Sequence, residues 1–121
     1  MSYNCLNYHI VYATKNRRPL LSDDVMTRLC EYNAGIIRNL KGHLFIANGP
    51  ANHIHLAVSI HPEMSLVDFV RTLKTNSARW IHQSFPDLAD FAWQDGYSAF
   101  TVSRSACGRV IEYIRGQKGT S

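Results

Sequence analysis

Residues 53–60 read His53-Ile54-His55-Leu56-Ala57-Val58-Ser59-Ile60, an apolar run that carries two histidines. A turn at residues 49–52 precedes the run and Pro62 follows it, so these eight residues are predicted to form a β-strand. Because a strand turns successive side chains to opposite faces, His53 and His55 project together while Ile54 points the other way. Two imidazoles side by side on a strand provide half of a site for a divalent metal ion.

The segments on either side of this strand predict an α+β fold. They comprise a strand over residues 5–14, a helix capped by Ser22 that ends at Gly42, a strand over His43–Asn48, the histidine strand, a helix capped by Ser65, an irregular segment over 84–97, a strand over 99–103 and a helix over 106–117. The order β-α-β-β-α-β is that of a ferredoxin-like or RRM-like antiparallel sheet, with one helix added at the C-terminus. The first and third strands are then expected to be central neighbours. Since RNA-recognition modules share this architecture, the fold alone leaves the function open.

Length and composition indicate a single domain over residues 1–121. The chain is 45% hydrophobic and 18% charged, as is usual for a globular protein. No apolar run approaches the roughly 18 residues of a membrane span, and the first residues do not resemble a secretory leader. The three cysteines lack the paired spacing of a zinc site or a disulfide framework. We therefore expect a cytoplasmic protein with no membrane partner.

The net charge of +4 is distributed unevenly along the chain. Near the start, residues 1–22 contain Lys15, Arg17 and Arg18 and no acidic residue. From residue 96 onward, four basic residues accompany Glu112 alone. If the two ends converge on one surface, that surface attracts a polyanion such as a nucleic acid. Charge alone favours a solvated basic surface without a partner, and the histidine pair shifts the balance towards a nucleic acid.

The final helix contains the residues that could complete a site with the histidines. Tyr113 and Gln117 are four residues apart and are predicted to share one helix face. A phenol and an amide oxygen on that face could meet the two imidazoles. Spacing alone leaves both roles open, because most tyrosines pack an aromatic face and hydrogen-bond a hydroxyl, and Gln117 could simply be a polar residue at a helix end.

Other two-histidine proteins fit the sequence poorly. A histidine-triad hydrolase needs a third histidine where this chain has Ala57, and a two-histidine phosphoesterase needs a second His-x-Thr/Ser strand, whereas Pro62 follows His61 and Gln83 follows His82. Cupin sites belong to all-β barrels, which three predicted helices exclude. The chain also has no phosphate-binding glycine loop, so we expect no nucleotide cofactor.

Five segments, in this order along the chain, match the sequence pattern of a known family. They are Tyr8–Pro19, Asn52–Leu56, Lys74 with Ser77, Trp93–Phe100 and Tyr113–Gln117. In these segments the chain resembles the single-strand-DNA transposases of bacterial insertion sequences, including the REP-associated tyrosine transposases. These enzymes belong to the His-hydrophobe-His superfamily and use a single tyrosine. The resemblance extends over nearly the whole chain.

The resemblance implies a complete active site. His53, His55 and Gln117 would bind a divalent metal ion, Mg²⁺ or Mn²⁺, and Tyr113 would be the nucleophile. The substrate would be single-stranded DNA with hairpin ends, cleaved and rejoined through a 5′-phosphotyrosine by a homodimer acting at the nucleoid. The DNA contacts expected are Lys15, Arg17, Arg18, Arg71, Lys74 and Arg104. Trp93 and Tyr97 are expected to pack in the fold, with base stacking as the alternative.

The C-terminal residues motivate an alternative interpretation. Gly116 is predicted to lie inside the tyrosine helix, where glycine costs about 1 kcal/mol of helix stability, and the sequence stops soon after Gln117, whereas family members commonly continue. The alternative is a catalytically degenerate relative that only binds hairpin DNA or RNA.

Overall fold

The structure is a computed structural model that describes residues 6–117. Its elements in chain order are β1 (Leu6–Ala13), α1 (Asp23–Asn39), β2 (His43–Asn48), β3 (His53–Ile60), α2 (Leu66–Ser84), β4 (Ser98–Thr101) and α3 (Cys107–Arg115), with short 3₁₀ turns at Lys15–Arg17, Pro86–Leu88 and Arg104–Ala106. The four strands form one antiparallel sheet in the order β2-β3-β1-β4. The predicted α+β fold, with the first and third strands as central neighbours, is confirmed.

Local signals predicted the starts of the two long helices correctly. The side chain of Ser22 accepts a hydrogen bond from the backbone N–H of Val25, and that of Ser65 accepts one from Asp68. Each bond satisfies one of the backbone donors that the first helical turn leaves without an intrahelical partner. Both caps are therefore built as the sequence predicts.

Several predicted boundaries are wrong by one to three residues, and the largest error is the end of α1, which is Asn39 rather than Gly42. The last strand is Ser98–Thr101, because its pairing with β1 runs from Val11 opposite Ser98 to Tyr8 opposite Thr101. The first strand ends at Ala13 rather than at residue 14, and residue 5 lies outside the described residues. These errors leave the topology unchanged.

The predicted last helix, 106–117, is also shorter in the structure. It begins at Cys107, after the 3₁₀ turn that Ser103 caps, and it ends at Arg115. Gly116 is the C-terminal cap, with φ −83°. The expected cost of an interior glycine therefore does not apply, since Gly116 lies outside the helix.

The hydrophobic core lies on the side of the sheet that faces α1 and α2. Ile10 on β1 and Ile54, Leu56 and Val58 on β3 are fully buried there. The histidines alternate with these residues along β3, so they lie on the opposite side, where α3 packs against β2 and β3. Within residues 6–117, no helix is both long and apolar enough to cross a membrane.

Candidate active site

Three histidines cluster on the sheet face that α3 partly covers. The rings of His53 and His55 on β3 are 4.9 Å apart between centroids. The register places Val11 opposite His55, so His9, two residues earlier on β1, lies diagonally across the same face. The ring centroids of His9 and His55 are 5.2 Å apart. Sequence analysis identified the pair on β3 but gave His9 no role.

Hydrogen bonds within the protein occupy one ring nitrogen, Nδ1, of each histidine on β3. Nδ1 of His53 lies 2.8 Å from the amide oxygen of Asn52. An amide oxygen only accepts, so Nδ1 of His53 donates and its Nε2 carries the lone pair. Nδ1 of His55 lies 3.0 Å from Nε2 of His9. In both histidines Nδ1 is therefore held by a neighbour, which leaves Nε2 for a ligand.

The Nε2 atom of His55 is a candidate ligand for a metal ion. This nitrogen is buried and has no hydrogen-bond partner among the described residues. A buried polar atom without a partner is unfavourable unless a ligand satisfies it. A cation bound at Nε2 would do so, and Nδ1–H of His55 would then donate to Nε2 of His9, as the second ring nitrogen of a metal-binding histidine usually does to a neighbouring group.

The environment keeps the histidines uncharged at neutral pH. Burial, followed by repulsion from the neighbouring His53 and His9, lowers the pKa of His55 to about 4. Burial also lowers the pKa of His53, with a further contribution from the positive charge of Arg17, and burial lowers the pKa of His9. Since only a neutral imidazole can bind a cation, the three rings do not need to lose protons before metal binding at pH 7.

This environment predicts that acid destabilises the fold. The unfolded chain protonates residue 55 near pH 6.5, whereas the folded chain does so only near pH 4, so the unfolded state binds more protons between these values. The free energy of unfolding is therefore expected to fall as pH decreases through this window. The contribution of His55 should be about 1–3 kcal/mol. Urea unfolding at pH 7 and pH 4.5 would measure it.

The matched comparison is His55→Gln, which removes the titrating group and leaves the carboxylates unchanged. This variant should lose less stability on acidification than the natural chain. Equal losses in the two proteins would show that His55 is not held neutral by its surroundings.

Helix α3 brings Tyr113 to the histidines of its own chain. Ile114 is fully buried beneath the helix, and the side-chain amide of Asn48 donates to the carbonyls of Ile114 (3.2 Å) and Arg115 (3.0 Å). These bonds fasten the end of α3 to β2 and satisfy carbonyls that have no partner within the helix. The Tyr113 ring lies 5.9 Å from the rings of both His9 and His55, and the residue remains 55% exposed.

Gln117 follows the helix instead of lying on its face. Its side-chain amide nitrogen donates to the backbone carbonyl of Tyr113 at 3.4 Å, and the residue is half-buried. Among residues 6–117, no group of three or more His, Cys, Asp and Glu side chains could hold a metal ion. A cation at His53 and His55 would therefore need oxygen ligands of another kind, such as the Gln117 amide or a phosphate.

The predicted DNA-contacting residues occupy different surroundings. Arg17 lines a groove beside His53. Lys74 donates to the carbonyls of Gln94 (2.7 Å) and Gly96 (2.9 Å), and burial lowers its pKa. The remaining four are exposed: Arg18 pairs with Asp90 and Arg71 with Asp68, while Lys15 and Arg104 lie in 3₁₀ turns.

Comparison with solved structures identifies proteins that share the fold of this chain. A crystal structure of a transposase-related protein from Deinococcus radiodurans R1 superposes with a TM-score of 0.79 at 29% identity, covering 99% of this chain and 95% of that one. A REP-associated tyrosine transposase bound to a REP hairpin shares the fold, with a TM-score of 0.67 at 13% identity over 94% of this chain and 67% of that one. The chain has the fold of these two proteins.

It belongs to the family described as "Transposase IS200 like", whose profile matches residues 2–117. The ISDra2 transposase TnpA of Deinococcus radiodurans is 27% identical over 93% of this chain and 84% of its own length. The transposase for insertion sequence element IS200 of Salmonella typhimurium is 30% identical over 95% of this chain and 78% of its own length. The chain is therefore a transposase, and the family predicted from the five segments is confirmed.

Proposed function

We propose that this transposase cleaves and rejoins single-stranded DNA at hairpin-bearing ends through a 5′-phosphotyrosine intermediate, using Mg²⁺ or Mn²⁺. One observation carries the proposal: Nδ1 of His53 and of His55 is held by the protein, and the phenol ring of Tyr113 from the same chain is edge-on to the ring of His55, 5.9 Å away between centroids. In the proposed site, the two Nε2 atoms would bind the cation and the exposed phenol of Tyr113 would attack a phosphate held beside them.

His53 and His55, with Gln117, are the residues that would hold the cation. Two imidazole nitrogens and an amide oxygen suit a first-row divalent ion or Mg²⁺ and leave positions for phosphate oxygens and water. A cation bound there supplies charge neutralisation to the phosphate oxygens. The orphaned Nε2 of His55 is the structural observation that supports this fit.

Tyr113 supplies the nucleophile in the proposed step. Its phenol oxygen forms a bond to phosphorus while the bond from phosphorus to the 3′-oxygen breaks. Overall, the phenol loses its proton and the leaving 3′-oxygen gains one, which gives a free 3′-hydroxyl. One phosphodiester replaces another, so the strand can be rejoined by the reverse reaction without ATP. The exposure of Tyr113 supports this role, because a single strand can reach its ring.

The hairpin in the proposed substrate is supported by the REP-associated transposase, whose solved complex contains a REP hairpin. The experiment that tests the function is incubation of the chain and Mg²⁺ with labelled single-stranded DNA from the ends of an insertion sequence. A covalent adduct that survives denaturation supports the proposal. Binding to hairpin DNA or RNA with no adduct under any divalent metal would support the degenerate relative instead.

The homodimer remains a prediction about assembly. Within one chain Tyr113 already lies beside His9 and His55, so exchange of α3 between subunits is not needed to bring these residues together.

His9 is expected to orient His55 through the bond between Nε2 of His9 and Nδ1 of His55. His9→Leu removes the acceptor and should weaken Mn²⁺ binding about 10- to 100-fold, the usual effect of removing the hydrogen-bond partner of a metal-binding histidine. His9→Gln retains an acceptor oxygen and should lose less. Titration with Mn²⁺, followed by electron paramagnetic resonance, would measure both affinities, and equal affinities in all three proteins would contradict the orienting role.

A further inference from the structure

A groove of about 230 Å³ opens beside His53, and Tyr113 is not among the residues that line it. It is bounded by the end of β1, by Arg17 and His53, and by residues 94–98, and we call it the Tyr97 groove. Pockets that enclose a drug-sized molecule measure roughly 300–1,000 Å³. The Tyr97 groove is smaller and open, so it suits a single unit of a longer ligand.

The wall formed by residues 94–96 is fixed by hydrogen bonds to the rest of the fold. Lys74 Nζ donates to the carbonyls of Gln94 and Gly96, and the backbone N–H of Gln94 donates to the carbonyl of Ala13 at 2.8 Å. Just before this wall, the indole N–H of Trp93 donates to the buried hydroxyl of Ser77 at 3.0 Å. A wall held in this way is already formed before a ligand arrives, which lowers the ordering cost of binding.

The chemistry of the groove matches a nucleotide. Tyr97 is 37% exposed, in contrast to Trp93, which is buried, so one aromatic residue of this segment remains available to a ligand. Arg17 is exposed, and within residues 6–117 its guanidinium forms no salt bridge. An aromatic face for a base and a free cation for a phosphate are the two elements with which proteins bind single strands.

We propose that the Tyr97 groove binds one nucleotide of the single-stranded DNA substrate, with its base stacked on Tyr97 and its phosphate beside Arg17. The inference rests on the proposed function, because it takes His53 as the place where the substrate strand meets the active site. It assigns to Tyr97 a role in substrate binding, and to Lys74 the task of holding the wall of the groove.

The test separates base contacts from phosphate contacts in the absence of metal. Two fluorescent 12-nucleotide probes are used, an oligothymidylate and an abasic strand with the same number of phosphates, and their affinities are measured by anisotropy. The natural chain should prefer the oligothymidylate. Tyr97→Ala should weaken oligothymidylate binding about 10-fold and leave abasic binding unchanged, because it removes a stacking surface. Tyr97→Phe keeps the ring and should retain the preference.

Arg17→Ala should instead weaken both probes equally and reduce the slope of log affinity against log salt by about 0.7, the value for one phosphate contact on a single strand. Phe45→Ala is the matched control, because Phe45 is also 37% exposed but lies on β2, at the other edge of the sheet. It should leave both affinities unchanged, and thermal melting checks that each variant is folded.

Equal weakening of both probes by Tyr97→Ala, or no weakening of either, would overturn the base-stacking assignment. Equal effects of Tyr97→Ala and Phe45→Ala would overturn the assignment of the site to this groove. The measurement needs neither metal nor cleavage, whereas the proposed function is judged by the covalent adduct, so failure of one is distinguishable from failure of the other.

Discussion

Replacing Tyr113 with phenylalanine is expected to abolish the covalent protein–DNA adduct, lowering its rate of formation by at least about 10³-fold. The substitution removes only the oxygen that would attack phosphorus. Tyr113 is more than half exposed, so the loss of its hydroxyl should change the free energy of unfolding by no more than about 0.5 kcal/mol. The adduct is measured on a denaturing gel with labelled single-stranded DNA and Mg²⁺.

Tyr32→Phe is the matched control for this experiment. Tyr32 lies on α1, on the other side of the sheet, with its ring stacked on Trp80 at 4.7 Å. The same chemical change there should leave the adduct unaffected. An adduct that persists in Tyr113→Phe, with the label mapped by proteolysis to another residue, would remove Tyr113 from the mechanism and leave the histidine site to be explained in another way.

The parts of the fold that were predicted correctly depend on local signals. Ser22 and Ser65 precede apolar residues at helical spacing, and a cap needs only its own first turn to form. The alternation of His53 and His55 with Ile54 is equally local, because it follows from the geometry of any strand. The strand order then followed from the sequence of elements, since few topologies accommodate β-α-β-β-α-β.

The role of His9 could not be predicted in the same way. His9 and His55 are 46 residues apart, and they meet only because β1 pairs with β3 in the register that places Val11 opposite His55. A shift of one residue would turn His9 to the core face. Adjacent strands were predicted, but nothing in a single sequence fixed their register, and so nothing indicated which histidine would contact Nδ1 of His55.

The end of α3 shows a related limit. The spacing of the apolar residues allowed the helix to continue to Gln117. Gly116 did not set the end, because a glycine is compatible with both the last helical turn and the cap. The structure ends the helix at Arg115, where Asn48 from β2 donates to the carbonyls of Ile114 and Arg115. The local sequence pattern does not reveal this tertiary contact. The contact also positions Tyr113, because Tyr113 is the residue before Ile114 in the helical turn that Asn48 attaches to the sheet.

His53→Ala is expected to weaken Mn²⁺ binding by at least about 100-fold, because it removes one of the two proposed nitrogen ligands. This loss should be larger than the loss from removing a hydrogen-bond partner of a ligand. His53 is partly exposed, so the fold should tolerate the truncation better than it would at the buried His55. Affinity is measured by titrating the DNA-free protein with Mn²⁺. Adduct formation with Mg²⁺ should fall in parallel.

The control is His43→Ala, since His43 is an exposed histidine on β2 whose ring contacts Phe45 outside the cluster. It should retain the Mn²⁺ affinity of the natural chain. Both interpretations of the protein predict that His53→Ala still binds hairpin DNA, and they differ in Mn²⁺ binding and in the adduct. A catalytic site predicts that His53→Ala loses the adduct while still binding the hairpin, because the cation serves the reacting phosphate and the rest of the strand is held elsewhere. A natural chain that binds the hairpin with the same affinity as His53→Ala, and that binds no Mn²⁺, would contradict the metal site and favour a protein that only binds DNA.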